Sequence, residues 1–107
     1  MSKMQTPPKH ALWNLCFSRK ASDQYDKLKQ SGKKPSINDI INLLVIEMRN
    51  EGPYRSNWPN YGPLGENEFH CHLKKGKPTY VACWYEENKK VKIVEVYYVG
   101  THENAPY

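Results

Sequence analysis

Apolar and polar residues alternate with a period of two at both ends of the chain and recur at helical spacing between them. From Ala11 to Phe17, Trp13, Leu15 and Phe17 fall on one side and Leu12, Asn14 and Cys16 on the other, which predicts a strand with one apolar face. Ser18 is placed to cap a helix running to about Gln30, with Ala21, Tyr25 and Leu28 on one face and Gly32 as its stop. A second helix follows, with Ser36 as cap and Asp39 at capping-box spacing. Ile37, Ile40, Ile41, Leu44, Val45 and Met48 give it a continuous apolar face, and Gly52-Pro53 ends it. Such a face requires a sheet to rest on.

Residues 52–68 are rich in Gly, Pro and Asn, and then period-two alternation returns. Strands are expected over Glu68–Lys74, Thr79–Glu86 and Val91–Val99, joined by polar turns of hairpin length. Hairpins imply an antiparallel meander. The first strand, separated from it by a two-helix crossover, joins most simply beside the last strand and parallel to it. The expectation is an α+β fold of order β-α-α-β-β-β, with a four-stranded, mainly antiparallel sheet and both helices on one face. The 107 residues suffice for one domain, with residues 1–9 as a loose lead-in.

Composition narrows the class. Apolar residues make up 38% and charged residues 25%, as in an ordinary globular domain. The formal net charge of +5 suits a polyanionic partner, although the same charge also keeps a small domain in solution. Cys16, Cys71 and Cys83 lie in strand-like stretches at no close spacing, which argues against a disulfide framework and predicts buried free thiols in a reducing compartment. The N-terminal residues contain no apolar signal-like run, and Ile40–Ile46 is too short to span a bilayer, so a cytoplasmic location is expected.

Candidate chemistry gathers late in the chain. On the strand from Glu68, the period of two puts His70 and His72 on one face, about 6.5–7 Å apart, with Lys74 continuing the stripe. Phe69, Cys71 and Leu73 form the opposite, core-facing stripe. On the last strand, Val94, Val96 and Tyr98 suit the helix-packed face, which turns Ile93, Glu95 and Tyr97 toward the histidines. His102 and Tyr107 follow, on a tail able to fold over the open face of the sheet. Metal-free RNA cleavage requires a base for the 2′-hydroxyl, an acid for the departing 5′-oxygen and a cation for the phosphate. Imidazole titrates near working pH and serves both proton roles, while lysine or arginine serves the phosphate. His-x-His plus a third histidine is also a metal-ligand pattern, although no cysteine joins the set. In the 52–68 loop, Trp58 and Tyr61 either stack on bases, with Arg55 on phosphate, or simply pack the loop to the body.

Several of these stretches together resemble the RelE/ParE toxin superfamily, closest to RelE- and HigB-like toxins. They are the strand Trp13–Phe17 with its following helix, Leu64-Gly65 before a strand, the hairpin from Phe69 to Trp84, and His102 with Tyr107 five residues later. The likeness covers Leu12 to Tyr107. It implies the toxin of a type II toxin–antitoxin system, an endoribonuclease that cuts mRNA in the ribosomal A site without a cofactor. His102 and Tyr107 would take the family's C-terminal catalytic places, and His70 and His72 would stand where members carry catalytic Arg or His. Lys74 and Lys75 would face phosphate, Arg49 and Arg55 would grip ribosomal RNA, and Glu95 would hold a histidine tautomer. A cognate antitoxin is the implied protein partner. Glu103 stands where Arg is usual, which favours histidine-centred chemistry. The same superfamily contains non-enzymatic gyrase inhibitors, which are the alternative reading.

Overall fold

The structure, a computed structural model, describes residues 12–31, 35–74, 76 and 78–107. Strand β1 (Asn14–Phe17) leads into α1 (Arg19–Gln30) and α2 (Pro35–Glu51). The strands β2 (Gly62–Pro63), β3 (Glu68–Lys74), β4 (Tyr80–Asn88) and β5 (Ile93–Thr101) follow, and a short 3-10 turn covers His102–Asn104. The order within the sheet is β1-β5-β4-β3-β2. Strand β1 runs parallel to β5, with Asn14 opposite Ile93, and all the other pairings are antiparallel. The α+β fold and the parallel first strand are as expected. The sheet has five strands, not four, because Gly62–Pro63 pairs with His70 and Phe69. A two-residue strand containing proline leaves no periodic signal, yet it covers the exposed edge of β3.

A capping residue starts α1, and apolar faces seat both helices. The Ser18 hydroxyl accepts the Ala21 amide at 3.0 Å and starts α1. The α2 backbone is helical from Pro35, one residue before the expected cap, and the Ser36 side chain lies outside what is described. The expected stop at Gly32 and the lead-in at 1–9 lie outside the described residues. Gly52 ends α2 at φ +96°, a conformation that side chains resist, and its amide donates to the Met48 carbonyl at 2.8 Å. Ile37, Ile41, Leu44 and Met48 of α2 meet Phe69, Cys71, Leu73, Ala82, Trp84, Val94 and Val96 in the core. Trp13, Leu15 and Phe17 pack at its margin. The helices therefore cover one face of the sheet and leave the other open.

Two irregularities redirect side chains. Between β4 and β5 the register steps from Cys83↔Tyr98 to Trp84↔Val96, so Tyr97 is an extra residue in β5. A bulge of this kind breaks the alternation of faces. Tyr98 consequently leaves the helix-packed core expected for it and joins Val81, Cys83, Leu64 and Tyr97 in a second cluster. In β3 the register shifts after His72 and pairs Lys74 with the core residue Tyr80. The last two strands also begin and end later than their periodicity suggested. Asn88 Oδ1 accepts the amides of Lys90 and Val91, and Lys92 turns at φ +52°, which takes Val91 into the turn. Cys71 and Cys83 are buried free thiols, whereas Cys16 is exposed, against expectation, because its face of β1 is not covered.

Candidate active site on the open face of the sheet

β3 is regular from Glu68 to His72, so Glu68, His70 and His72 share the open face, with the intervening Phe69 and Cys71 in the core. Thr101 ends β5, and the 3-10 turn beyond it carries His102. The His102 amide donates to the Thr79 carbonyl at 2.8 Å, which pins this turn to the start of β4. The tail then returns across the sheet. Ring centroids lie 5.4 Å apart for His72 and His102, 4.7 Å for His70 and Tyr107, 5.8 Å for His102 and Tyr107, and 6.4 Å for His70 and His72. Three imidazoles and a phenol, two from β3 and two from the tail thirty or more positions later, thus form one cluster.

The hydrogen bonding of this cluster sets its chemistry. His70 Nδ1 lies 3.0 Å from the Gly62 carbonyl oxygen. A carbonyl oxygen can only accept, so Nδ1 carries the proton and the neutral ring keeps its lone pair on Nε2. The short strand β2, invisible in the periodicity, is what delivers that carbonyl. Burial, followed by the neighbouring His102 and His70, holds His72 below the usual imidazole range and favours its neutral form. Burial also raises the Tyr107 hydroxyl, with smaller contributions from Cys83 and Cys71, so the phenol remains a donor near neutrality. His102 lines an open cleft of about 620 Å³ together with Gly76, Pro78, Thr79 and Glu103. Among the described residues, no group of three or more His, Cys, Asp or Glu is arranged to hold a metal ion.

The other candidate residues divide clearly. Glu95 pairs across the ladder with Tyr85, and burial followed by nearby Glu87 raises its carboxyl. It is not beside a histidine, and the Gly62 carbonyl takes the tautomer-setting role expected of it. Arg55 is 8% exposed, with its guanidinium 3.1 Å from Glu47 and 3.6 Å from Glu51. Trp58 is buried and donates from Nε1 to Glu47 at 2.8 Å. Tyr61 stacks on Phe69 and Trp84 at ring distances of 6.0 and 6.3 Å. These three pack the loop onto the body and are not presented to RNA: Glu47 holds Arg55 and Trp58, and Phe69 and Trp84 take Tyr61, partners that no local pattern discloses. Arg49, in the last turn of α2, and Lys74, at the end of β3, are exposed, and Lys75 lies outside the described residues. The periodicity argument overlooked Glu68, which shares the histidine face and accepts the Tyr97 hydroxyl at 3.2 Å. Its position two residues before His70 was the available signal.

No protein-family model matches the sequence, and no curated protein sequence matches it either. A solved structure does match in three dimensions: the YoeB dimer from Staphylococcus aureus, with a TM-score of 0.66 over 86% of this chain and 99% of that one, at 14% sequence identity. The chain has the fold of YoeB. No helix among the described residues is long and apolar enough to cross a membrane.

Proposed function

We propose that this protein is the toxin of a toxin–antitoxin pair and cuts mRNA on the ribosome by metal-independent acid–base catalysis. The observation that carries this reading is the convergence of His70, His72, His102 and Tyr107 on the open face, with His70 Nδ1 committed to the Gly62 carbonyl. The YoeB-like fold and the family resemblance of the sequence support it.

In the proposed reaction His70 Nε2 takes the proton of a ribose 2′-hydroxyl, and the freed oxygen attacks the adjacent phosphorus. The bond from phosphorus to the 5′-oxygen breaks as protonated His102 gives its proton to that oxygen. The products are a 2′,3′-cyclic phosphate and a 5′-hydroxyl. His72, kept neutral, donates one hydrogen bond to the phosphate, and the Tyr107 hydroxyl orients the nucleotide from the side of His70. Lys74, exposed at the end of β3, supplies positive charge for the RNA backbone, and Lys75 and Arg49 are further candidates for RNA contact. A cognate antitoxin covers this face and blocks it.

The test is a transcriptome-wide map of new mRNA 5′ ends, taken minutes after induction of the protein and of His102→Ala. The expected result is frame-dependent cutting within translated regions that the variant lacks. Intact mRNA alongside arrested growth would refute the nuclease reading and turn attention to inhibition of gyrase by binding.

A further inference from the structure

Beyond the histidines, the open face carries a second arrangement that the cleavage chemistry does not use. The bulge in β5 places Tyr97 where it reaches over β4, past the Cys83 thiol, to donate its hydroxyl to Glu68 Oε1 on β3 at 3.2 Å. Bulges recur beside active sites because they re-aim side chains. Tyr85, from the strand between, sits against Tyr97 with ring centroids 4.3 Å apart and an interplanar angle of 30°. Glu68, Tyr85 and Tyr97 are all half-buried, so each still has surface to offer. Oε2 of Glu68 lies 3.6 Å from where a Cβ at Gly65 would stand, and glycine there keeps a side chain away from the carboxylate.

We infer that Glu68, with Tyr85 and Tyr97, forms a nucleobase-reading subsite next to the cleavage centre and that it selects guanine. The inference rests on the proposed nuclease reading. Glu68 is one two-residue strand step, about 6.5–7 Å, from His70 on the same face, so a base held there belongs to a nucleotide flanking the scissile phosphate. Tyrosine rings provide a stacking surface that accepts any base. The carboxylate supplies the choice, since it can only accept hydrogen bonds. Guanine presents two neighbouring donors, N1–H and the N2 amine, to its two oxygens, whereas uracil presents one donor flanked by acceptors. Tyr97 is a positioning residue: its hydroxyl fixes the rotamer of Glu68 before RNA arrives. The Glu68 carboxylate also repels phosphate, which keeps the RNA backbone off this part of β3.

Two measurements test this. In the first, purified protein cuts ribosome-bound mRNAs that differ in the nucleotides flanking one cleavage site. The wild type should favour guanine by about tenfold. Glu68→Gln should collapse that ratio, and Tyr97→Phe should lower it in the same direction. Cutting that is indifferent to guanine, or a preference that survives Glu68→Gln, overturns the subsite and leaves the nuclease reading standing. The second is independent of cleavage. A short RNA with 2′-O-methyl groups, carrying guanine or inosine, is titrated against the protein while the Tyr85 and Tyr97 ring resonances are followed. Inosine lacks the N2 amine and should bind several-fold more weakly, and Glu68→Gln should erase the difference. Equal binding of the two RNAs, or no response at either ring, overturns the inference whatever the cleavage assay shows.

Discussion

Glu47 holds the 52–61 segment to α2, and its replacement should cost a large part of the protein's stability. One oxygen, Oε1, accepts from Arg55 at 3.1 Å, Asn57 at 3.0 Å and Trp58 at 2.8 Å. The Arg55 and Glu47 side chains are 10% and 27% exposed. Hydrogen bonds to a charged group contribute about 1.5–3 kcal/mol each, although three on one oxygen are not additive. Glu47→Ala also leaves the Arg55 guanidinium with Glu51 at 3.6 Å as its remaining carboxylate contact, a weaker one on an exposed side chain. Breaking a well-buried pair costs about 3–5 kcal/mol, and the exposure of Glu47 lowers that to roughly 3 kcal/mol. For a domain of this size the melting temperature should fall by more than about 10 °C.

The assay is urea unfolding followed by tryptophan fluorescence, to which the buried Trp58 and Trp84 contribute. Burial raises the Glu47 carboxyl, but the bonds from Asn57, Trp58 and Arg55, with the Arg55 charge, outweigh it and set the folded value below the ordinary 4.5. Its contribution is therefore complete above about pH 4.5 and lost as the pH falls through the lower folded value. Glu47→Gln should accordingly show a shallower loss of stability on acidification than the wild type. A loss below about 1 kcal/mol for Glu47→Ala, with an unchanged acid limb, would refute this account of how the loop is held.

Three further outcomes follow from the same geometry. His72 has a folded pKa below its ordinary 6.5, so the unfolded chain binds the extra proton and stability should rise with pH through the window ending near 6.5; His72→Asn should flatten that slope in urea midpoints measured from pH 5 to 8. Gly100→Ala would set a Cβ 2.7 Å from the Tyr98 hydroxyl, which now donates to the Thr101 carbonyl at 2.7 Å, and should cost about 1–3 kcal/mol in thermal melts while disturbing His102 two residues on. Cys71 and Cys83 are buried, with thiols pushed up chiefly by that burial, so iodoacetamide should label the native protein at Cys16 and reach the other two after unfolding, as read by mass spectrometry.

The residues also show where pattern reading succeeds and where it stops. Ser18, the Ile37–Met48 face and the His70/His72 stripe were legible because each depends on local periodicity that the fold leaves intact. Tyr98 and Lys74 were misplaced because a bulge lies within two residues of each, and a bulge is a property of two strands rather than of one sequence. Arg55, Trp58 and Tyr61 look like RNA ligands by composition. Apart from the weaker Arg55–Glu51 contact, their partners, Glu47, Phe69 and Trp84, lie eight or more residues away, and only tertiary structure brings them together. The tautomer of His70 was equally hidden, since it depends on a carbonyl from a two-residue strand.

The parallel pairing of β1 with β5 also bears on how the protein is made. Asn14 finds its partner 79 positions later, at Ile93, and β5 lies between β1 and β4 in the sheet. A growing polypeptide that has not yet exposed β5 can neither seat β1 nor finish the surface on which both helices rest. Contacts between such distant positions form slowly, because a long loop must close before they bring any gain. His102 follows β5 directly, so the last imidazole is in place only once the sheet is whole. Completion of the sheet and assembly of the histidine cluster are therefore one event, so a chain lacking β5 cannot present its imidazoles together.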